Sequence, residues 1–173
     1  MNHLYNSSNI TVRKMNHEDI SFICKAGHDE SVEIKIYLKR QLINQENRNC
    51  IALLALYNNE IAGYVFLYYK CKWGSLANCN IPGIVDLIVF ERYRKKGIAT
   101  VLMDIAEKIA KEHCDKVYLD VCLNSDYGPA QRFYVKRGYI PDGNGVYYKE
   151  KICGTNAICR NDDELTLCLV KEL

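Results

Sequence analysis

Arg94-Lys95-Lys96-Gly97-Ile98-Ala99-Thr100 places three cations directly ahead of a glycine. That order suits an anion. A helix that starts at such a glycine offers backbone N–H groups without internal partners, at the positive end of its dipole. A residue without a side chain lets a phosphate approach the backbone closely. Three basic residues alone describe a solvated turn, and the parts around them carry the anion reading. Ile84 to Phe90 precedes them as an apolar, mostly β-branched run broken only by Asp86. It reads as a strand covered on both faces. Ile98, Val101, Leu102, Ile105, Ala106, Ile109 and Ala110 follow, spaced by three and four as in an amphipathic helix. No G-x-x-x-x-G-K-[ST] is present, and no G-x-G-x-x-G follows a strand.

The candidates for proton chemistry are few. Asp86 is a carboxylate inside an apolar strand, where burial raises the pKa toward the range of a base working near neutrality. The competing role is a carboxylate hydrogen-bonded to a neighbouring loop. Asp120, on a later strand, has a similar claim, whereas Glu60 and Glu91 read as turn residues. Trp73 is a loop aromatic that serves either packing or an acceptor site. Tyr134 lies on a later helix, where a tyrosine can close the helix against a sheet.

The elements that position these residues follow from patterning. Ile10 to Met15 reads as a first strand; Asn16 caps a short helix through about Lys25, with Gly27 as its stop. In residues 31 to 46, Val32, Ile34, Ile36 and Leu38 alternate like a strand, yet Ile34, Tyr37, Leu38 and Leu42 fit a helix face, and the length and the polar end from Gln41 to Asn47 favour the helix. Cys50 to Tyr57 and Ile61 to Lys70 form a hairpin about Asn58-Asn59, and 71 to 83 an irregular loop. After the organising helix, Lys116 to Leu123 is a strand that completes a parallel βαβ unit. Pro129 opens the next helix and Gly138 ends it. Asp142-Gly143 and Asn144-Gly145 are turns, Val146 to Lys149 a short strand, and Leu165 to Val170 the last one.

The 173 residues, 49% of them hydrophobic, suffice for a single domain over residues 1–173 with a substantial core. A net charge of +2 argues against a nucleic-acid partner. The chain carries nine cysteines. Cys24, Cys50, Cys71, Cys114 and Cys122 adjoin apolar segments as small hydrophobes. The N-terminus is polar and no long apolar run occurs, so no signal peptide or membrane segment is expected. Reduced thiols in the cytoplasm are expected instead. Cys153, Cys159 and Cys168 lack C-x-x-C spacing and a nearby histidine, so no metal is expected.

Leu87-Ile88-Val89 followed by Arg94-x-x-Gly97-x-Ala99 resembles the acetyl-CoA-binding motif of the GNAT superfamily of N-acetyltransferases, L-x-V and then [RQ]-x-x-G-x-[GA]. Ala130-x-x-x-Tyr134-x-x-x-Gly138-Tyr139 resembles a second signature of that family. The likeness is clear from about Ile84 to Tyr139. It implies an α/β (or α+β) fold: a central mixed, mostly antiparallel sheet with a parallel βαβ unit and flanking helices. It further implies acetyl transfer from acetyl-CoA to a primary amine, small or peptidic, by direct attack within a ternary complex, and it leaves a homodimer open. In its terms Arg94, Lys95, Lys96, Gly97, Ile98, Ala99 and Thr100 hold the diphosphate. Leu87, Ile88 and Val89 bind the pantetheine arm as an added strand, Tyr134 is the general acid, and Asp86 is first among the candidate bases. Tyr127 stands seven residues before Tyr134, where members often carry a cofactor-binding asparagine, and nearby Asn124 is the candidate for that contact. A second reading, of another class, is a catalytically silent acyl-CoA-binding regulatory domain of the same fold.

Overall fold

The computed structural model describes residues 3–173. Among them are nine strands and four helices, in two compact units. The first unit holds the residues up to Tyr68 together with Ile84–Ile109, and the second holds Tyr69–Gly83 and Ala110–Leu173.

In the first unit, β1 (His3–Asn6), β2 (Ile10–Lys14), β3 (Cys50–Tyr57) and β4 (Glu60–Tyr68) pair antiparallel in sequence order. β1 is an addition to the expected elements, because its residues HLYN are exposed and carry no apolar alternation. The β3–β4 hairpin turns on Asn58 and Asn59, at φ 50° and 67°. Two residues at positive φ match the strand twist, and asparagine tolerates that region. β3 is buried from Cys50 to Ala55, at no more than 5% exposure.

α1 (Asp19–Gly27) starts at Asp19, after the expected cap Asn16, and runs through the expected stop, Gly27, to a left-handed His28, while α2 (Val32–Glu46) matches the helix expected over 31 to 46. Asp19 accepts two bonds from the Arg13 guanidinium, at 2.7 and 2.6 Å, and one from the Asn16 N–H at 2.8 Å. The pair ties α1 to β2 in a site where both side chains are nearly buried. Ser31 caps α2 by accepting from Ile34 N–H. The polar C-terminal half of α2 is its fastening to the sheet. Gln45 donates to the Met15 carbonyl at 3.0 Å and accepts from Ala52 N–H at 2.9 Å. Asn44 donates to the Tyr68 hydroxyl at 2.8 Å, and that hydroxyl donates to Gln41.

β5 (Gly83–Val89) departs from expectation. It is buried only at its start; Asp86 is exposed and Ile88 is 39% exposed. Asp86 takes a left-handed φ of 51°, a local break in regular strand geometry of the kind a bulge makes. An apolar run does not encode such a bulge. α3 (Ile98–Lys111) follows a single 3-10 turn at Glu91–Tyr93.

In the second unit, β6 (Lys116–Cys122), β9 (Leu165–Glu172), β7 (Ile140–Tyr148) and β8 (Lys151–Ile152) pair antiparallel in that order, beside α4 (Gly128–Lys136). Gly83 pairs in parallel with Tyr118, and Tyr118 N–H donates to the Pro82 carbonyl at 3.0 Å. The strands are thus mixed and mostly antiparallel, with the expected βαβ unit. β7 is longer than the short strand expected from Val146. Its Gly143 and Gly145, at φ 88° and 86°, form an irregularity between Pro141 and Val146 rather than separate turns. Cys153 and Cys159, expected as reduced thiols, lie with their sulfurs beside one another across a short loop. The loop folds back on itself there, with Asn156 at positive φ and Ala157 N–H donating to Gly154. The other seven cysteines are free. Among the described residues no helix is long and apolar enough to cross a membrane.

Candidate active site

Asp86, Leu87 to Val89 and Arg94 to Thr100 lie in the first unit, Asn124 and Tyr134 in the second. At the start of α3 the first intrahelical bond runs from Val101 N–H to the Gly97 carbonyl at 3.1 Å. The amides of Ile98, Ala99 and Thr100 precede it, at the positions where a helix offers its donors no internal acceptor. Gly97 has φ 82°, and nothing lies within 4 Å of where its Cβ would stand, so space opens over the turn. Lys95 shares the left-handed conformation at φ 62°. Arg94, Lys95 and Lys96 are exposed. Lys96 Nζ sits 4.6 Å from the Tyr57 ring centre, and Arg94 Nε donates to the Val89 carbonyl at 3.4 Å. Ile98, 1% exposed, anchors the helix beneath them. This donor set fits a diphosphate: backbone amides, a side-chain-free approach and exposed cations.

The bulge at Asp86 points its carboxylate toward α2, where Tyr37 donates a hydrogen bond to Oδ2. The Tyr37 ring meets Phe66 edge-on at 6.2 Å, and Tyr64 packs on Phe66 at 5.4 Å and on Phe90 at 6.3 Å. Asp86 reaches solvent, yet the protein packed round its carboxyl pushes the pKa above the usual carboxylate range, with the Tyr37 bond acting in the opposite sense. Burial likewise raises the phenols of Tyr37 and Tyr64, and the Asp86 charge adds to both. These aromatic walls and one perturbed carboxylate are suited to receive a cation and take a proton from it. Sequence reasoning missed Tyr37. The available signal was its place on the same helix face as Ile34, Leu38 and Leu42.

The other carboxylate candidates have structural partners. Asp120 Oδ2 accepts from Ser75 N–H at 3.1 Å, and a Cβ on Gly74 would lie 2.7 Å from that oxygen. Glu60 accepts from the Tyr93 hydroxyl, and Glu91 belongs to the 3-10 turn. Trp73 is 38% exposed, and its carbonyl accepts from the Tyr118 hydroxyl at 3.3 Å.

In the second unit, Asn124 uses both ends of its amide. Its oxygen accepts from Asp126 N–H at 3.1 Å and its nitrogen donates to Asp163 at 2.9 Å. Tyr127 acts on the Cys122 thiol through a side-chain hydrogen bond. Tyr134 is 8% exposed near the end of α4, with Phe133 at 5.6 Å and Tyr139 at 5.9 Å. Gly138, at φ 88°, closes the helix behind it.

Residues 15–139 match the model of the acetyltransferase (GNAT) family. An N-alpha-acetyltransferase of Saccharolobus solfataricus is 31% identical over 54% of this chain and 64% of its own length. One of Sulfurisphaera tokodaii is 29% identical over 52% and 62%. The chain thus spans less than two thirds of these relatives. Among solved structures, RimL, a ribosomal L7/L12 alpha-N-protein acetyltransferase in complex with coenzyme A, superposes with a TM-score of 0.73, covering 99% of this chain and 98% of that one at 8% identity. The PaiA N-acetyltransferase of Thermoplasma acidophilum in complex with coenzyme A gives 0.65, with 95% and 99% covered at 16% identity. At these identities the superpositions speak for the fold alone.

Proposed function

The chain belongs to the acetyltransferase (GNAT) family, and on that premise we propose that it transfers an acetyl group from acetyl-CoA to the amine of a peptide or protein N-terminus. The observation that carries the reading is the open, cationic start of α3, with Gly97 at φ 82° and free space above it, inside the matched region. The peptide acceptor is supported by the two relatives that are N-alpha-acetyltransferases. Seven free cysteines, four of them buried, support a cytoplasmic setting.

Acetyl-CoA supplies the thioester carbonyl carbon that the amine attacks. Every other task falls to this chain. The amides of Ile98, Ala99 and Thr100, with Arg94, Lys95 and Lys96, bind the diphosphate. The backbone of Leu87 to Val89, which follows Asp86, accepts the pantetheine amides as a strand edge would. Asn124 is the candidate for a further contact to the cofactor. Asp86 takes a proton from the acceptor's ammonium, whose unperturbed pKa lies near ~8 for an α-amine. The raised carboxyl is matched to that task. The nitrogen–carbon bond forms, the carbon–sulfur bond breaks as Tyr134 gives its proton to the departing sulfur, and the second proton that the nitrogen sheds restores the phenol. Tyr134 holds this role through its place in the A-x-x-x-Y-x-x-x-G-[FY] pattern.

The test is steady-state release of the free CoA thiol. A peptide with a free N-terminus is expected to drive release. The same peptide blocked at its N-terminus, and a polyamine, are not. Release with the polyamine alone would move the acceptor to small amines.

A further inference from the structure

We infer that Tyr37 is a positioning residue for the acceptor chemistry: its hydroxyl holds Oδ2 of Asp86 so that Oδ1 is presented to the incoming amine. The inference rests on the acetyl-transfer reading and on Asp86 as its base.

Three observations converge. First, Asp86 sits at φ 51°, outside regular strand geometry, so its carboxylate is not placed by strand geometry alone and a side-chain partner fixes it. Second, Tyr37 is rigidly placed. Its helix is fastened to the sheet by Gln41, Asn44 and Gln45, and its ring rests edge-on against Phe66. Third, the helix already has those fastenings, so the hydroxyl of Tyr37 is not needed to dock it. What the hydroxyl does uniquely is hold a carboxylate.

The surroundings give that bond its effect. Around Asp86 stand Tyr37 from α2 and Tyr64 from β4. Behind them, Cys24 of α1 and Asp29 of the turn after it act on Tyr64, and Tyr68 acts on Tyr37. Glu30 and Lys35 act on Cys24, and Lys35 Nζ is spent on the Glu30 carbonyl at 2.8 Å. The protein packed round the Asp86 carboxyl raises its pKa, and the Tyr37 bond lowers it. Removing the donor therefore leaves burial unopposed, and the carboxylate ionises only at higher pH.

The experiment is the pH profile of kcat/KM for acetylation of a free N-terminal peptide, comparing wild type with Tyr37→Phe. Tyr37→Phe keeps the ring on Phe66. The acid limb is expected to move to higher pH, with kcat/KM on that limb roughly tenfold lower or more, as for loss of a hydrogen bond to a charged group. The thermal shift produced by acetyl-CoA should stay at the wild-type value. In an Asp86→Asn background Tyr37→Phe should add no further loss. Leu42→Ala, at a buried position of α2 outside the aromatic walls, loosens the packing of the same helix without touching the hydroxyl, so it should lower stability and leave the profile in place. An unmoved acid limb in Tyr37→Phe, or a full additional loss in the Asp86→Asn background, would overturn the inference while acetyl transfer stands. A wild-type protein that turns over no peptide would overturn both.

Discussion

Gly63 of β4 lies so close to Ile88 of β5 that a Cβ built on it would stand 2.3 Å from the Ile88 carbonyl oxygen and 3.1 Å from the Val89 Cα. Both contacts are backbone, so neither can swing aside. The strand proposed to carry the pantetheine arm is therefore set in place by the absence of a side chain on its neighbour. Gly63→Ala is expected to displace Ile88 and Val89, lower stability by about 1–3 kcal/mol, as overpacking does, and weaken acetyl-CoA. Calorimetric binding checks it; wild-type affinity in the variant would detach cofactor binding from this strand.

Gly97→Asp is expected to abolish acetyl-CoA binding, because a carboxylate at the helix start repels the diphosphate. The residue's φ of 82° adds backbone strain to that variant, so Gly97→Asn is its matched control. Asparagine has the same shape and tolerates the left-handed region equally, without the charge. Asparagine should retain more affinity than aspartate at equal thermal stability. Equal affinities would show that the diphosphate is held elsewhere.

The elements that carry this turn were legible in the sequence because their signals are local. The three- and four-residue spacing from Ile98 to Ala110 gave α3, and Asn58-Asn59 gave the hairpin turn. The bulge at Asp86 was not legible, since a run of β-branched residues encodes a strand and not a break in its pleat. Tyr37 was read as one member of a helix face because its partner is 49 residues away. β1 escaped notice because all four of its residues are exposed and it is held by pairing alone. The approach of Cys153 to Cys159 depends on a loop conformation that spacing does not reveal.

Asp86 has a cost to the fold that pH exposes. Its native pKa is raised, chiefly by burial, above the unfolded value. The native state therefore takes up a proton more readily than the unfolded chain, and stability falls as pH rises through the native pKa. Below the unfolded value of about 3.9 the difference vanishes. Asp86→Asn, neutral throughout, is expected to melt higher than wild type at neutral pH and to converge with it in acid, while losing turnover. Melting curves across pH check this; a gap that is constant, or reversed at neutral pH, would mean that burial does not govern the carboxyl.

Tyr134→Phe removes a proton donor and little packing from a residue only 8% exposed. If its phenol serves the departing sulfur, kcat and kcat/KM fall together, by roughly 10²–10⁴-fold for full loss of general acid catalysis. Acetyl-CoA affinity should change far less. Kinetics and thermal stability measured on the same variant separate the roles: near-normal turnover in a destabilised fold would leave Tyr134 a packing residue.

The most direct measurement is mass spectrometry of a peptide with a free N-terminus after incubation with the wild-type protein and acetyl-CoA, with melting recorded in the same samples. One acetyl group on the α-amine, formed in step with free CoA thiol, is the expected result. Saturating acetyl-CoA should also raise the melting point, with a ligand at ~100 times its dissociation constant adding about 2.7 kcal/mol. A clear rise in melting point with no acetylated peptide or other amine, and no thiol released, would contradict the enzyme and leave a silent acyl-CoA-binding domain.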